Sequence, residues 1–292
     1  MEFKVYKKIE ECRDLWDSFS PKVRLFDVWD YRECFYDKND NEPYFIEGFE
    51  ANKPIGIIPL CFARSRNQYN YFGGWFPERN SFFLKNKVKL AKLLNQCPVN
   101  TFIEGIDPSE GRYYNFLEDE YTYYLDLSKY NNDFDAYLRS LDKKKQKNLR
   151  RDLKNIPDYK IYHNRLEDFG RLVELNVRQY EEDSKFNNNI IKNGILQLMK
   201  LADKNGCLEM ISLEINGIPE AVDIGIMHGD CYYAVIGGTN NQKIPNLGKL
   251  MNVLDIKNAI AKKARLVDFF ATSGHWKNMW NFEKEMLLKF IK

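Results

Sequence analysis

Apolar positions along this chain recur with two periods, and the alternation between them divides it into two successive sets of elements. Trp16, Phe19, Trp29 and Phe35, spaced among charges, predict a largely helical stretch over 8–38. Tyr44 to Phe49 and Pro54 to Phe62 (PIGIIPLCF) read as strands, with Ala51-Asn52-Lys53 as their hairpin connection. A third apolar run, YNYFGGW (69–75), ends on a Gly pair and tryptophan. A Lys-rich helix over 86–96 and strands at 99–104 and 121–127 complete this half.

The second half repeats the order more fully. It opens with a polar helix over 134–155, a strand at 159–163 and helices over 166–181 and 189–204. A strand over 208–215 meets Asn216-Gly217, a dipeptide whose members both tolerate positive φ and so favour a hairpin. The returning strand, IPEAVDIGIMH (218–228), turns again at Gly229-Asp230 into CYYAVIG (231–237). A loop leads to a helix over 249–264, with Leu250, Val253, Leu254 and Ala261 as its apolar face. A strand at 266–271, a short helix over 275–281 and a strand at 285–291 follow. Both halves therefore read as helices, antiparallel meander, loop, helix, strand and tail, an internal repeat of element order. The expected division is 1–130 and 131–292.

Composition agrees with two folded domains: 292 residues, 44% of them hydrophobic, are enough for two cores of ordinary size. Forty-four basic against 42 acidic residues leave +2, which gives no global case for a nucleic-acid or membrane partner. Cys12, Cys34, Cys61, Cys97, Cys207 and Cys231 are scattered, with no CxxC pair. Neither a disulfide framework nor a structural zinc site is expected, and the thiols read as reduced. The opening MEFKVYKKIE lacks a signal-peptide core, and no later segment has the uncharged length of a membrane span. A cytoplasmic location is therefore the expectation.

Four passages of the second half carry a family resemblance: LRSLDKKKQKNLRRDLKNI (138–156), NGIPEAVDIGIMHGDCYYAVIGG (216–238), LGKLMNVLDIKNAIAKKARLVDFFATSG (247–274) and HWKNMWNFEKE (275–285). IGIIPLCFAR (55–64) and YFGG (71–74) add to it in the first half. Together they resemble the FemAB-like and BioF2-like, tandem-domain branch of the GNAT superfamily of acyltransferases. The resemblance implies an α+β fold of two tandem GNAT-like (acyl-CoA N-acyltransferase) domains, each a mixed, mostly antiparallel sheet flanked by helices. The first would be degenerate and the second would carry the active site. It implies transfer of an acyl group to a small-molecule or peptide amine without a metal. The donor is acyl-CoA in most of the superfamily and aminoacyl-tRNA in Fem enzymes, which act on cell-wall or peptide acceptors. The long charged heptads of a coiled-coil arm, present in the best-known Fem proteins, are missing here. A non-catalytic GNAT-fold binding module is the alternative from a different class.

Individual residues carry a chemical reading beside a plainer one. Asn246-Leu247-Gly248-Lys249 marks a helix start whose N–H groups suit a phosphate of the donor, or simply an ordinary helix start after Pro245. Ser273, closing the donor-side passage, joins Asn246, Gly248 and Lys249 as a donor-binding residue by resemblance. Asp223 interrupts an apolar strand, and its carboxylate is suited to orienting the acceptor ammonium or taking its proton, or to pairing at a sheet edge. Lys277, among His275, Trp276 and Trp280, is suited to stabilising an oxyanion, or is a lysine lying over a tryptophan. Asp223 and Lys277 are the expected catalytic pair. Glu209 is a weaker candidate, and Asp268 is expected to be structural. His163, His228 and His275 do not cluster, and neither G-x-S-x-G nor H-E-x-x-H occurs. The basic run within 139–154, Lys143–Arg151 above all, reads as a solvated helix face or as a contact for tRNA phosphates.

Overall fold

The computed structural model describes residues 1–271 and 275–292. The chain divides into two compact units, Met1–Thr122 with Glu285–Lys292, and Tyr123–Lys284. No helix among the described residues is long and apolar enough to cross a membrane.

In the first unit, β1 (Glu2–Tyr6), α1 (Ile9–Phe19) and α2 (Trp29–Glu33) precede β2 (Asn41–Glu50), β3 (Lys53–Ala63), β4 (Gln68–Tyr71) and β5 (Phe83–Leu84). Then come α3 (Leu90–Leu94), β6 (Phe102–Ile106) and the first residues of β7 (Leu117–Asp126). The strands pair antiparallel in the order β1-β2-β3-β4, with β5 also on β3. The helical stretch expected over 8–38 is broken because Pro21 excludes the helical conformation at Ser20, which is extended at ψ 132°. The Lys-rich segment is helical only over α3, after a 3-10 turn at Lys87–Lys89. Ala51 and Asn52 both take positive φ (48° and 59°), which closes β2 onto β3 by a two-residue turn. Trp16 centres this core, with its ring 4.9 Å from Phe83 and 5.8 Å from Trp29 in edge-on contacts.

The second unit holds α4 (Phe134–Ser140), α5 (Lys143–Lys154), β8 (Lys160–His163), α6 (Phe169–Tyr180) and α7 (Asn189–Lys204). It continues with β9 (Ile211–Ile215), β10 (Ile218–His228), β11 (Cys231–Thr239), α8 (Leu247–Ala261), β12 (Leu266–Ala271) and the start of β13 (Glu283–Ile291). The expected helix over 134–155 is two helices, because Asp142 leaves the helical conformation and caps α5, accepting from Lys145 N at 2.8 Å. Asn216 (φ 52°) and Gly217 (φ 78°) make the expected hairpin turn. The strand order is β12-β11-β10-β9-β8, antiparallel throughout except that β11 and β12 run parallel. A parallel pair needs a crossover, and α8 provides it. One stretch of α8 packs Leu247, Leu250 and Met251 on Ile211, Leu213 and Ala221. The next sets Val253, Ile256 and Ala259 among Tyr232, Val267 and Phe269. Ala261, expected on the same face, is exposed at the last turn.

The division expected at 130/131 stands beside a unit boundary at 122/123, and residues 285–292 belong to the first unit. The reason is backbone pairing plus packing: Phe290 and Ile291 pair with Ile103 and Phe102 of β6, and Phe290 is buried in the first core.

Candidate functional site

On β10, Ala221, Val222 and Ile224 are fully buried apolar residues, and Asp223 among them is half-buried. Its partner across the strands is Gly237 of β11. A Cβ on Gly237 would lie 2.0 Å from Asp223 Oδ1, so only glycine leaves room for this carboxyl. Asp255 of α8 and the Gly238 N–H both act electrostatically on this carboxyl, the first raising its pKa and the second lowering it. Asp255 is 3% exposed and also accepts from the Tyr232 hydroxyl at 2.8 Å. Gly225 makes space for that hydroxyl, since a Cβ there would lie 2.1 Å from it. Burial first, then the neighbouring Asp255, pushes Asp223 well above the usual carboxylate range. Burial lifts Asp255 to about 6, opposed by the bond from the Tyr232 hydroxyl and by Asp223. The Tyr232 phenol rises too, through burial and then Asp255.

Glu209, the weaker candidate, is buried in a bond from Asn258 Nδ2 (3.1 Å) and an ion pair with Lys262, both on or beside the end of α8. Asp268 accepts from the Phe270 N–H at 2.8 Å. Phe270 takes φ 56°, a conformation that bulky residues rarely adopt, just beyond the last paired positions of β11 and β12, Tyr233 and Asp268.

Lys277 belongs to a separate cluster at that end of β12. It is 1% exposed rather than a surface lysine, and its Nζ donates to the carbonyls of Phe269 (2.9 Å) and Phe270 (2.5 Å). The rings of Tyr123 and Trp276 flank the charge at 4.6 and 5.6 Å. Ser273 and the His275 side chain lie outside the described residues.

The donor-side residues do come together at the start of α8, but with protein partners. Asn246 is in the left-handed region (φ 73°), and its carbonyl accepts from the N–H groups of Lys249 and Leu250. Gly248 N–H donates to Asn241 Oδ1 at 3.2 Å. Lys249 Nζ bonds Asp152 Oδ2 at 2.6 Å and Asn246 Oδ1 at 2.9 Å. The preceding loop is anchored by Glu220 of β10, buried under Asn240 (2.8 Å), Lys243 (2.6 Å) and Arg171 (3.1 Å). On α5, Lys143, Lys144, Lys147, Arg150, Arg151 and Lys154 are exposed.

Three residues of these clusters went unread in the sequence: Asp255, Tyr232 and Glu220. Asp255 lies within an otherwise apolar stretch of α8, the same signal that singled out Asp223 on its strand. Among the described residues no group of three or more His, Cys, Asp or Glu is placed to hold a metal ion.

Residues 143–278 match the family model described as "Acetyltransferase (GNAT) domain". The crystal structure of FemX superposes with a TM-score of 0.65 at 13% identity, covering 99% of this chain and 96% of that one. A conserved protein of unknown function from Bacteroides thetaiotaomicron VPI-5482 gives 0.59 at 14%, over 99% and 98%. A tandem GNAT protein from the clavulanic acid biosynthesis pathway, without AcCoA, gives 0.55 at 9%, again over 99% and 98%. No curated protein sequence matches the chain.

Proposed function

We propose, from the premise that this chain has the GNAT fold and carries a GNAT domain over 143–278, that it moves an acyl group from acyl-CoA to an amine. The fold and the family match support an acyltransferase; the donor and the acceptor are our reading. The observation that carries it is the α8 crossover between parallel β11 and β12, lying wholly inside the matched segment.

In this reading the amine attacks the thioester carbonyl directly. Asp223 takes a proton from the acceptor ammonium, which frees the nitrogen lone pair. The tetrahedral oxyanion forms under the positive charge of Lys277, which meets it only by exchanging its bonds to the Phe269 and Phe270 carbonyls, then collapses to the amide. The second nitrogen proton leaves with the CoA thiolate as the thiol. Asn246, Gly248, Lys249 and Ser273 hold the donor. At Gly248 and Lys249 they do so by exchange, with phosphate oxygens replacing Asn241 Oδ1 and the Asp152 carboxylate.

The test is the melting temperature of the full chain with CoA, acetyl-CoA, longer acyl-CoAs and bulk tRNA at two salt concentrations. A native-state ligand at 100 times its Kd stabilises by about 2.7 kcal/mol, so a saturable rise with one acyl-CoA is expected. No rise with any thioester would overturn the donor assignment. Binding without turnover of any amine would instead identify a binding module.

The exposed basic face of α5 favours a second reading, an aminoacyl-tRNA-dependent transfer to a cell-wall or peptide acceptor. It requires a shift with tRNA alone that fades as salt rises, because phosphate contacts release counterions.

A further inference from the structure

We infer that Glu220 is a positioning residue for donor binding: from its place on β10 it fixes the loop before α8, and so sets how strongly the first turn of α8 holds the donor. The donor part rests on the acyl-transfer reading, whereas the anchoring of the loop rests on hydrogen bonds alone.

Glu220 is 1% exposed, and burying an ionised carboxyl is costly unless its oxygens are bonded. A bulge in β10 puts it there. Pro219 pairs with Glu214 of β9 and Ala221 with Leu213, so Glu220 is the extra residue of the strand, and a bulge of this kind re-aims a side chain. Its Oε1 accepts from Lys243 Nζ at 2.6 Å, and its Oε2 accepts from Asn240 Nδ2 at 2.8 Å and from Arg171 Nη2 of α6 at 3.1 Å. The Glu220 carbonyl also takes the Asn240 N–H at 2.8 Å. Backbone and side chain of one residue thus grip Asn240 twice.

From Asn240 the hold passes along the loop. The Asn240 carbonyl accepts from the N–H groups of Lys243 (3.1 Å) and Ile244 (2.9 Å), which closes 240–244 into one turn. Ile244 then packs in the core with Leu247 and Leu250 of α8. Within the same turn, Asn241 Oδ1 accepts from the Gly248 N–H at 3.2 Å. Thr239, just before it, gives both its N–H and its hydroxyl to Gln179 Oε1, each at 3.0 Å. The loop is therefore tied at its start by α6 and Glu220, and at its end to Gly248, the N–H that a donor phosphate takes over. A loop already fixed leaves less ordering for the donor to impose, and preorganisation of this kind is read as affinity. Lys243 supplies the competing account: its side chain is 60% exposed, and a direct phosphate ligand would be held back by Glu220 rather than helped. The two accounts predict opposite effects of removing the Glu220 charge.

The test measures KM for acyl-CoA, kcat and amide hydrogen exchange at Asn240, Ile244 and Gly248 in the full chain, well below each melting temperature. The variants are Glu220→Gln, Asn240→Asp and the two combined. The first removes the charge, and the second sets two carboxylates face to face. Together they exchange donor and acceptor and return one negative charge to the neighbourhood of Arg171 and Lys243. Each single substitution should raise KM by about tenfold with kcat within about twofold, the pattern of lost binding rather than lost chemistry. Exchange at Gly248 should quicken by about the same factor, and the double variant should recover most of both, because the two side chains act as a pair. A merely structural role would lower the melting temperature and leave KM and Gly248 exchange in place. A KM that falls in Glu220→Gln, as a freed Lys243 requires, overturns the inference, and so does a double variant no better than the worse single one. Should Glu220→Gln fail to fold, Asn240→Asp decides by the same readouts. A wild type that binds no acyl-CoA would sink the acyl-transfer reading and the donor role with it, and exchange at Gly248 then decides the anchoring by itself.

Discussion

Lys249 Nζ lies 2.6 Å from Asp152 Oδ2, joining the first turn of α8 to α5. This bond, reinforced by Arg151 and opposed by burial, leaves Asp152 with a lowered pKa. Because the native value is depressed, the pair's contribution is present above the unfolded carboxylate pKa of about 3.9 and is lost as pH falls through the native value. Lys249→Met should therefore destabilise by roughly 1 kcal/mol near neutral pH, a modest figure because both groups keep some contact with water. The deficit in melting temperature should shrink as pH falls below the unfolded carboxylate value. A deficit that is constant with pH would mean that Lys249 acts through packing alone. The same variant should weaken acyl-CoA binding, which calorimetry reads separately.

The burial of Lys277 changes what its removal should do. A surface lysine could be exchanged at little cost to the fold. Here Lys277→Met removes two hydrogen bonds to backbone carbonyls in a buried setting, at about 1–3 kcal/mol. Both the melting temperature and turnover should fall, the latter by about 100-fold if the charge stabilises the oxyanion. Rates measured well below the variant's melting temperature separate the two effects. A destabilised variant with wild-type turnover would confine Lys277 to holding the Phe269–Phe270 backbone.

Gly237→Ala and Gly225→Ala should each cost about 1–3 kcal/mol, since the new methyl would overlap Asp223 Oδ1 in one case and the Tyr232 hydroxyl in the other. Gly170 on α6 is the contrast: it is exposed, and a Cβ there meets nothing within 4 Å. Gly170→Ala should stabilise by about 0.4–1 kcal/mol. Thermal melts of the three variants check the ordering, and a neutral Gly237→Ala would show that the carboxyl can move aside.

Charge reversal at Lys144, Lys147 and Arg150 should leave the melting temperature nearly unchanged, within about 0.5 kcal/mol per site, because these side chains are exposed. With acyl-CoA as donor, turnover should also be unaffected. Loss of turnover together with salt-sensitive tRNA binding would move the assignment to the aminoacyl-tRNA reading.

The sheet of the second unit was readable because its signals are local: Asn216-Gly217 fixes one hairpin, and the apolar runs on either side fix the strands. Helix limits were read less well where one residue overrides periodicity. Pro21 ends α1 and Asp142 divides α4 from α5, although the charge pattern continues through both. Asp223 and Lys277 stood out as polar residues in apolar or aromatic surroundings. Asp255 and Tyr232 acquire their meaning through a contact with each other across 23 positions of sequence, and linear spacing carries no trace of such a contact. The occupied state of Gly248 and Lys249 was hidden for the same reason, since Asp152 lies on another helix.

Residues 285–292 complete a unit whose other members are all within 1–122. During synthesis the first unit therefore emerges first and is finished last: β6 waits, with its edge unpaired by β13, until the whole second unit has been made. An open edge of this kind invites wrong pairing, so the interval is when this chain is most exposed to aggregation. A recombinant piece ending near residue 122 would inherit the exposed edge permanently, and an extension fused after Lys292 would act on the amino-terminal core rather than on the domain it follows in sequence.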